Sequence, residues 1–239
     1  MSIVFVLISL LLIFFSKKWL TVEISHLIHL FGGGNRSLIV IWSLIFLPGT
    51  VIHEMSHFFF AIITGARTGK IEIFPELLED DWEDEGRGQT VALGYVQTQK
   101  PNPIQGFFIG TAPFVVGLIL LIWLASLIQT SSGSGQWAVA FLQGYLFFTV
   151  ANSFFPSWSD IRQTLPLVII VFVAGLLAWI LGFQIFISPY SKIISLSDTI
   201  STTLLISVVI NLFLIGILFI ANRTLRHRRN SPHYPKISI

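Results

Sequence analysis

Leu47-Pro48-Gly49-Thr50-Val51-Ile52-His53-Glu54-Met55-Ser56-His57 lies inside an apolar window of membrane-spanning length, about residues 38–64. Its last five residues are His-Glu-x-x-His. On a helix, positions i and i+4 share a face, so His53 and His57 can hold one metal ion while Glu54 projects beside them as a general base. Ionisable groups are costly inside a bilayer and mark function by default. The segment therefore predicts both an α-helical membrane span and a metal site within it.

The rest of the chain agrees with a membrane setting. Hydrophobic residues make up 54% of the 239 residues, charged residues only 11%, and the mean hydropathy is +0.80. Soluble globular domains carry about 25% charged residues. Further apolar windows recur at about 106–128, 137–158, 166–187 and 203–222, and a shorter one at 3–15 is read as the first span. The expectation is an all-α polytopic protein of about six transmembrane helices. No cleavable signal is evident, because no basic residue precedes the 3–15 run and Lys17-Lys18 follow it.

The organisation expected from this pattern has four parts. Residues 1–37 hold the N-terminal span and an interfacial segment, and 38–165 hold a three-span core that includes the polar stretch 65–105. Residues 166–222 carry two further spans, and 223–239 form a basic tail. Within 65–105, Gly69–Phe74 and Thr90–Val96 alternate as strands do, which predicts a small β-containing loop on the cytoplasmic side. The acidic run Glu79–Glu85 between them reads as a solvated loop tip. His26 and His29, three residues apart near Trp19, read as an interfacial turn.

Fourteen Lys and Arg face twelve Asp and Glu, and Arg223, Arg226, Arg228 and Arg229 follow the last apolar run. Such a cluster suits a membrane-surface anchor rather than nucleic acid. With the C-terminal tail in the cytoplasm and six alternating spans, the loop 65–105 and Arg162 are cytoplasmic too. His26, His29 and Asp198 then fall on the opposite side. The chain has no cysteine, so any metal must be held by histidine and carboxylate.

Catalytic zinc normally takes three protein ligands plus water, so His53 and His57 need a partner. After Glu85 the only acids are Asp160 and Asp198, and the remaining histidines are His26, His29, His227 and His233. Only Asp160, expected at the cytoplasmic end of the fourth span, stands at a matching depth. It is the predicted third ligand.

The segment Asn152-Ser153-Phe154-Phe155-Pro156-Ser157-Trp158-Ser159-Asp160 resembles the second motif of the site-2 protease family of intramembrane zinc metalloproteases. There an Asn opens a Pro-containing segment that ends in a metal-binding Asp. The proline here is one place later than in the common form, and Ile161 stands where the family has Gly. Gly49–Glu54, Gly65-Ala66-Arg67 and Gly110-Thr111-Ala112-Pro113 are similar to other elements of that family, and the resemblance covers about residues 45–165.

It implies a zinc endopeptidase that cuts membrane-spanning substrates within the lipid bilayer, with Glu54 as general base. Asn152 is then either an oxyanion or substrate-backbone donor, or a cap at a helix end beside Pro156. Two other classes fit the same residues: a non-proteolytic zinc-binding scaffold or sensor, and a metal transporter using His and Asp as a permeation path.

Overall fold

The computed structural model describes residues 2–33, 35–66, 68–72, 76–77, 91–92, 95–98, 101–183 and 190–229. Six helices carry the fold: α1 (Ser2–Leu30), α2 (Asn35–Ile63), α3 (Pro103–Gly133), α4 (Trp137–Ser153), α5 (Trp158–Ile180) and α6 (Tyr190–Arg229). Between α2 and α3, β1 (Thr68–Glu72) pairs antiparallel with β4 (Tyr95–Thr98), and β2 (Glu76–Leu77) with β3 (Val91–Ala92). These are two separate two-stranded ladders, the outer one with a register shift between Thr68 and Ile71. The acidic run 79–85, His233 and Lys236 lie outside the described residues.

Among the described residues five helices are long and apolar enough to cross a membrane, namely α1, α2, α3, α5 and α6, as in a multi-pass integral membrane protein. This corrects the expectation of six. The window at 137–158 yields a helix of only 17 residues, α4. A span needs about 20. The helix stops at Ser153 because Pro156 offers no N–H and disfavours helical backbone in the residue before it.

The two ends of the pattern also differ from expectation. The run at 3–15 continues as one helix to Leu30, carrying Lys17, Lys18 and Glu23 along it. The last span extends to a 40-residue helix.

The described helices fall into two compact units. In the first, residues 1–42 and 197–239, the facing positions are Ser9, Ile13, Ser16, Leu20 and Glu23 on α1, with Ser201, Leu204, Val208, Asn211, Ile215 and Asn222 on α6. The α1 positions step alternately by four and three residues, and those on α6 keep the same pattern as far as Ile215. This is the seam of two helices packed side by side.

Polar groups on that seam bond across it. Asn211 Nδ2 donates to Ser16 Oγ at 3.1 Å. Asn222 Nδ2 donates to both the backbone oxygen and the carboxylate of Glu23, at 3.0 and 2.9 Å. Because both partner numbers rise together, α1 and α6 run in the same direction. Six alternating spans would run them in opposite directions, whereas an odd count such as five allows it. His26 and His29 therefore share an end of this unit with Arg223 and Arg226, and not the opposite end as expected.

The second unit, residues 43–196, holds α3, α4 and α5 with most of α2. The helices α3 and α4 form an antiparallel hairpin closed by the short turn Ser134–Gln136. The chain then continues down α3 from Phe154 to Gln163, with Phe154 against Gly117, Asp160 against Gly110 and Gln163 against Gly106. The break at 154–157 thus interrupts a descent rather than reversing it. At the other end of α3, Asn102 and Gln105 form a reciprocal cap, and Gln105 Nε2 reaches Thr64 O at 3.0 Å to tie α2 to α3.

Candidate metal centre

Four helices of the second unit, α2, α3, α4 and α5, converge on His53, His57 and Asp160. The approach of α4 to α2 is set by a repeating contact. Tyr145 Oη donates to Ile45 O at 2.9 Å, a Cβ on Gly49 would overlap the Thr149 carbonyl and the Ser153 hydroxyl, and His53 Nδ1 meets Ser153 O at 2.7 Å. Each contact lies four residues beyond the last on both helices, so α2 and α4 run side by side in one direction. Only glycine at position 49 leaves room for backbone this close.

Each histidine is tied through Nδ1 to a main-chain carbonyl. Ser153 O is available because α4 ends there, and the last carbonyls of a helix lack partners within it. His57 Nδ1 lies 2.9 Å from Ile109 O, in the interior of α3. An interior carbonyl normally accepts from the residue four positions on. Here that residue is Pro113, which has no N–H. A proline in α3 thus frees the oxygen that orients His57.

Asp160 is fixed by the start of α5. Ser157 is the N-cap: its hydroxyl accepts from Asp160 N at 3.3 Å, while Asp160 Oδ2 accepts from Ser157 N at 2.6 Å. This reciprocal box pins the carboxylate at the third helical position. Asp160 therefore opens α5 and does not close the fourth span, a correction that follows from the break around Pro156. The approach of α5 is again close, since a Cβ on Gly110 would meet the Thr164 hydroxyl and Asp160 O.

The carboxylate lies 3.2 Å from His57 Nε2 through Oδ1 and 3.7 Å from His53 Nε2 through Oδ2. One candidate ligand atom from each residue lies within 4.8 Å of the others. Asp160 is 4% exposed and His57 8%, while His53 is half-buried.

The donor chemistry of this cluster is unusual for a protein interior. Carbonyl oxygens only accept, so in the neutral imidazole each Nδ1 carries the ring proton and each Nε2 presents a lone pair. Two lone pairs and a carboxylate then face one point with no proton donor between them. A cation satisfies that arrangement, and His53, His57 and Asp160 fit one.

Glu54 is buried on the helical turn between the two histidines. Asn152 is buried one residue before the Ser153 carbonyl, and its Nδ2 donates to Phe148 O at 2.9 Å within α4. Among the described residues His26, His29 and Asp198 are not in the cluster. His29 Nδ1 bonds Gly33 O at 2.9 Å, and His26 lies 3.9 Å from Glu23. The side chains of His227 and His233 fall outside the described residues.

Sequence reasoning missed the two carbonyl anchors, although Pro113, four residues after Ile109, carried the signal for one. It also missed the capping role of Ser157, which Ser-x-x-Asp spells out.

A family model described as Peptidase M50B-like matches residues 36–190 of the 239, covering all but the first residue of α2 and the whole of α3, α4 and α5. No curated protein and no solved structure matches the chain. With most of the chain matched and a histidine–carboxylate cluster at the meeting point of the matched helices, the chain belongs to the Peptidase M50B-like family, a site-2 protease family.

Proposed function

We propose that the chain is a zinc metalloendopeptidase that hydrolyses peptide bonds of membrane-spanning substrates. The observation that supports this best is the convergence of two histidine lone pairs and a carboxylate, with both histidines held by backbone carbonyls. Imidazole nitrogen and carboxylate oxygen suit zinc, and three protein ligands leave a fourth position open for water or substrate. When bound, zinc supplies Lewis acidity and lowers the pKa of water.

The remaining steps belong to this chain's own residues. His53, His57 and Asp160 hold the ion. Glu54 takes a proton from the attacking water and later delivers it to the leaving amine. Burial of Glu54 and Asp160 keeps bulk water from screening their charges.

Asn152 has its amide nitrogen engaged with Phe148 O, which favours the helix-end role over the oxyanion role. It holds the end of α4, whose Ser153 carbonyl orients His53. The ladders between α2 and α3 suit docking of an unwound substrate by strand addition.

Purified protein incubated with a panel of single-span membrane proteins tests this reading. Cleavage that needs zinc and disappears in Glu54→Gln supports it. Cleavage that survives Glu54→Gln rules out the assigned base. Metal flux in proteoliposomes that survives the same substitution points to a transporter instead.

A further inference from the structure

We propose that Gln163 is a substrate-binding residue, its side-chain oxygen accepting a backbone N–H from the unwound segment of the substrate beside the metal centre. This rests on the peptidase reading above. Gln163 Oε1 is buried and has no hydrogen-bond partner among the described residues. Such an atom loses its water without recovering the bond elsewhere, and folded proteins rarely keep one unless something else supplies a donor.

Position separates Gln163 from the other two buried lone acceptors, Gln143 Oε1 and Asn222 Oδ1. Gln143 lies ten residues before Ser153 on α4, about 15 Å along the helix. Asn222 belongs to the α1–α6 unit, where its amide nitrogen already bonds Glu23. Gln163 is one helical turn beyond Asp160 on α5. Its backbone oxygen would lie 2.7 Å from a Cβ on Gly106 and its own Cβ 3.6 Å from it. Gly106 is in turn one turn along α3 from Ile109 and Gly110, which contact His57 and Asp160. Gln163 therefore sits one turn from the cluster, on the side leading to the start of α3.

Substrate chemistry supplies the missing donor. A helical peptide bond is shielded by its own hydrogen bonds, so it must unwind before hydrolysis. Unwinding frees N–H groups in surroundings with little water, where each needs an acceptor. The Gln163 oxygen is already desolvated and carries no competing proton, so pairing with such an N–H removes two unsatisfied groups at once.

The test uses zinc-loaded Glu54→Gln protein in detergent micelles as the parent, so that bound peptide is not cut. The probe is a fluorescein-labelled peptide with a Leu/Ala transmembrane segment interrupted by Asn-Gly, together with versions methylated at single backbone nitrogens. Adding Gln163→Met or Gln163→Leu should weaken binding about ten-fold with zinc content unchanged. One N-methyl peptide should lose a similar factor against the parent and nothing further against Gln163→Met.

Equal binding by the parent and both variants overturns the proposal, as does loss of zinc in both. So does an N-methyl penalty that is the same with and without Gln163, or a parent that does not bind the peptide. Wild-type cleavage of the same peptide is measured alongside. Absent cleavage with the Gln163 effect intact sinks the peptidase reading alone, and normal cleavage with no Gln163 effect sinks this proposal alone.

Discussion

Both compact units bury polar side chains among apolar helices, yet they dispose of them in opposite ways. Between α1 and α6 donors meet acceptors: Asn211 bonds Ser16, and Asn222 bonds Glu23. At the candidate metal centre, with both imidazoles neutral, acceptors meet acceptors: two Nε2 lone pairs face the Asp160 carboxylate. A seam whose donors find acceptors across it specifies which helices pair and in what register. A cluster whose polar groups leave each other unsatisfied specifies a ligand. The burial of polar residues alone would not have told these apart.

Substitutions at the centre should act on chemistry and metal, those at the seam on assembly. The largest effect is expected for Glu54→Gln, which keeps bound zinc but lowers cleavage by about 10²- to 10⁴-fold, the usual worth of a general base. Turnover measured beside metal analysis checks it, and loss of zinc would mean that Glu54 is itself a ligand.

Asp160→Ala should weaken zinc binding by more than about 100-fold, beyond the range of outer-shell losses. Competition against a chelator of known affinity reads this directly, and unchanged retention would remove Asp160 from the ligand set.

Pro113→Ala makes the sharpest test of the backbone anchors. It restores an N–H that competes for Ile109 O, so zinc affinity should fall about ten-fold. The α3 helix should at the same time gain stability, since proline in a helix interior is costly. Opposite signs in metal binding and thermal unfolding are the expected signature. A variant that loses both would show that Pro113 serves packing alone.

Smaller effects are expected at the seam, without change in zinc content or cleavage. Asn222→Leu leaves the buried Glu23 carboxylate without its amide donor and should lower thermal stability in detergent by about 1–3 kcal/mol. Asn211→Leu removes a neutral bond and should cost about 0.6 kcal/mol. Since the chain has no cysteine, pairs introduced at facing positions of α1 and α6 report the register by cross-linking. Loss of zinc in either leucine variant would erase the contrast between the units.

The legible parts of the site were those with local or exclusive signals. His53, Glu54 and His57 follow from helical periodicity, and Asp160 follows because almost no acids remain after Glu85. Pro156 announces a local break that re-aims the chain toward the metal, but the apolar windows do not show that the chain resumes at once as α5 with Asp160 in its first turn. The length of α1 was hidden for a related reason. Lys17 and Lys18 look like the end of a span, but long basic side chains can ride on a continuous helix. The reason Glu23 is tolerated, its bond to Asn222, lies 199 residues away in the chain. The direction of α1 relative to α6 depends on such distant pairs, and counting six apolar windows as spans misjudged it.

The histidine anchors at Ile109 and Ser153 are main-chain oxygens, which gives this site an uneven tolerance to mutational drift. Any residue at 109 or 153 that preserves the helices still presents the same carbonyl, so the identity of those side chains is free to wander. Position 113 is different: almost any replacement for proline brings back an N–H. Across variants of this chain, the orientation of His57 should therefore be guarded by a residue that never touches it.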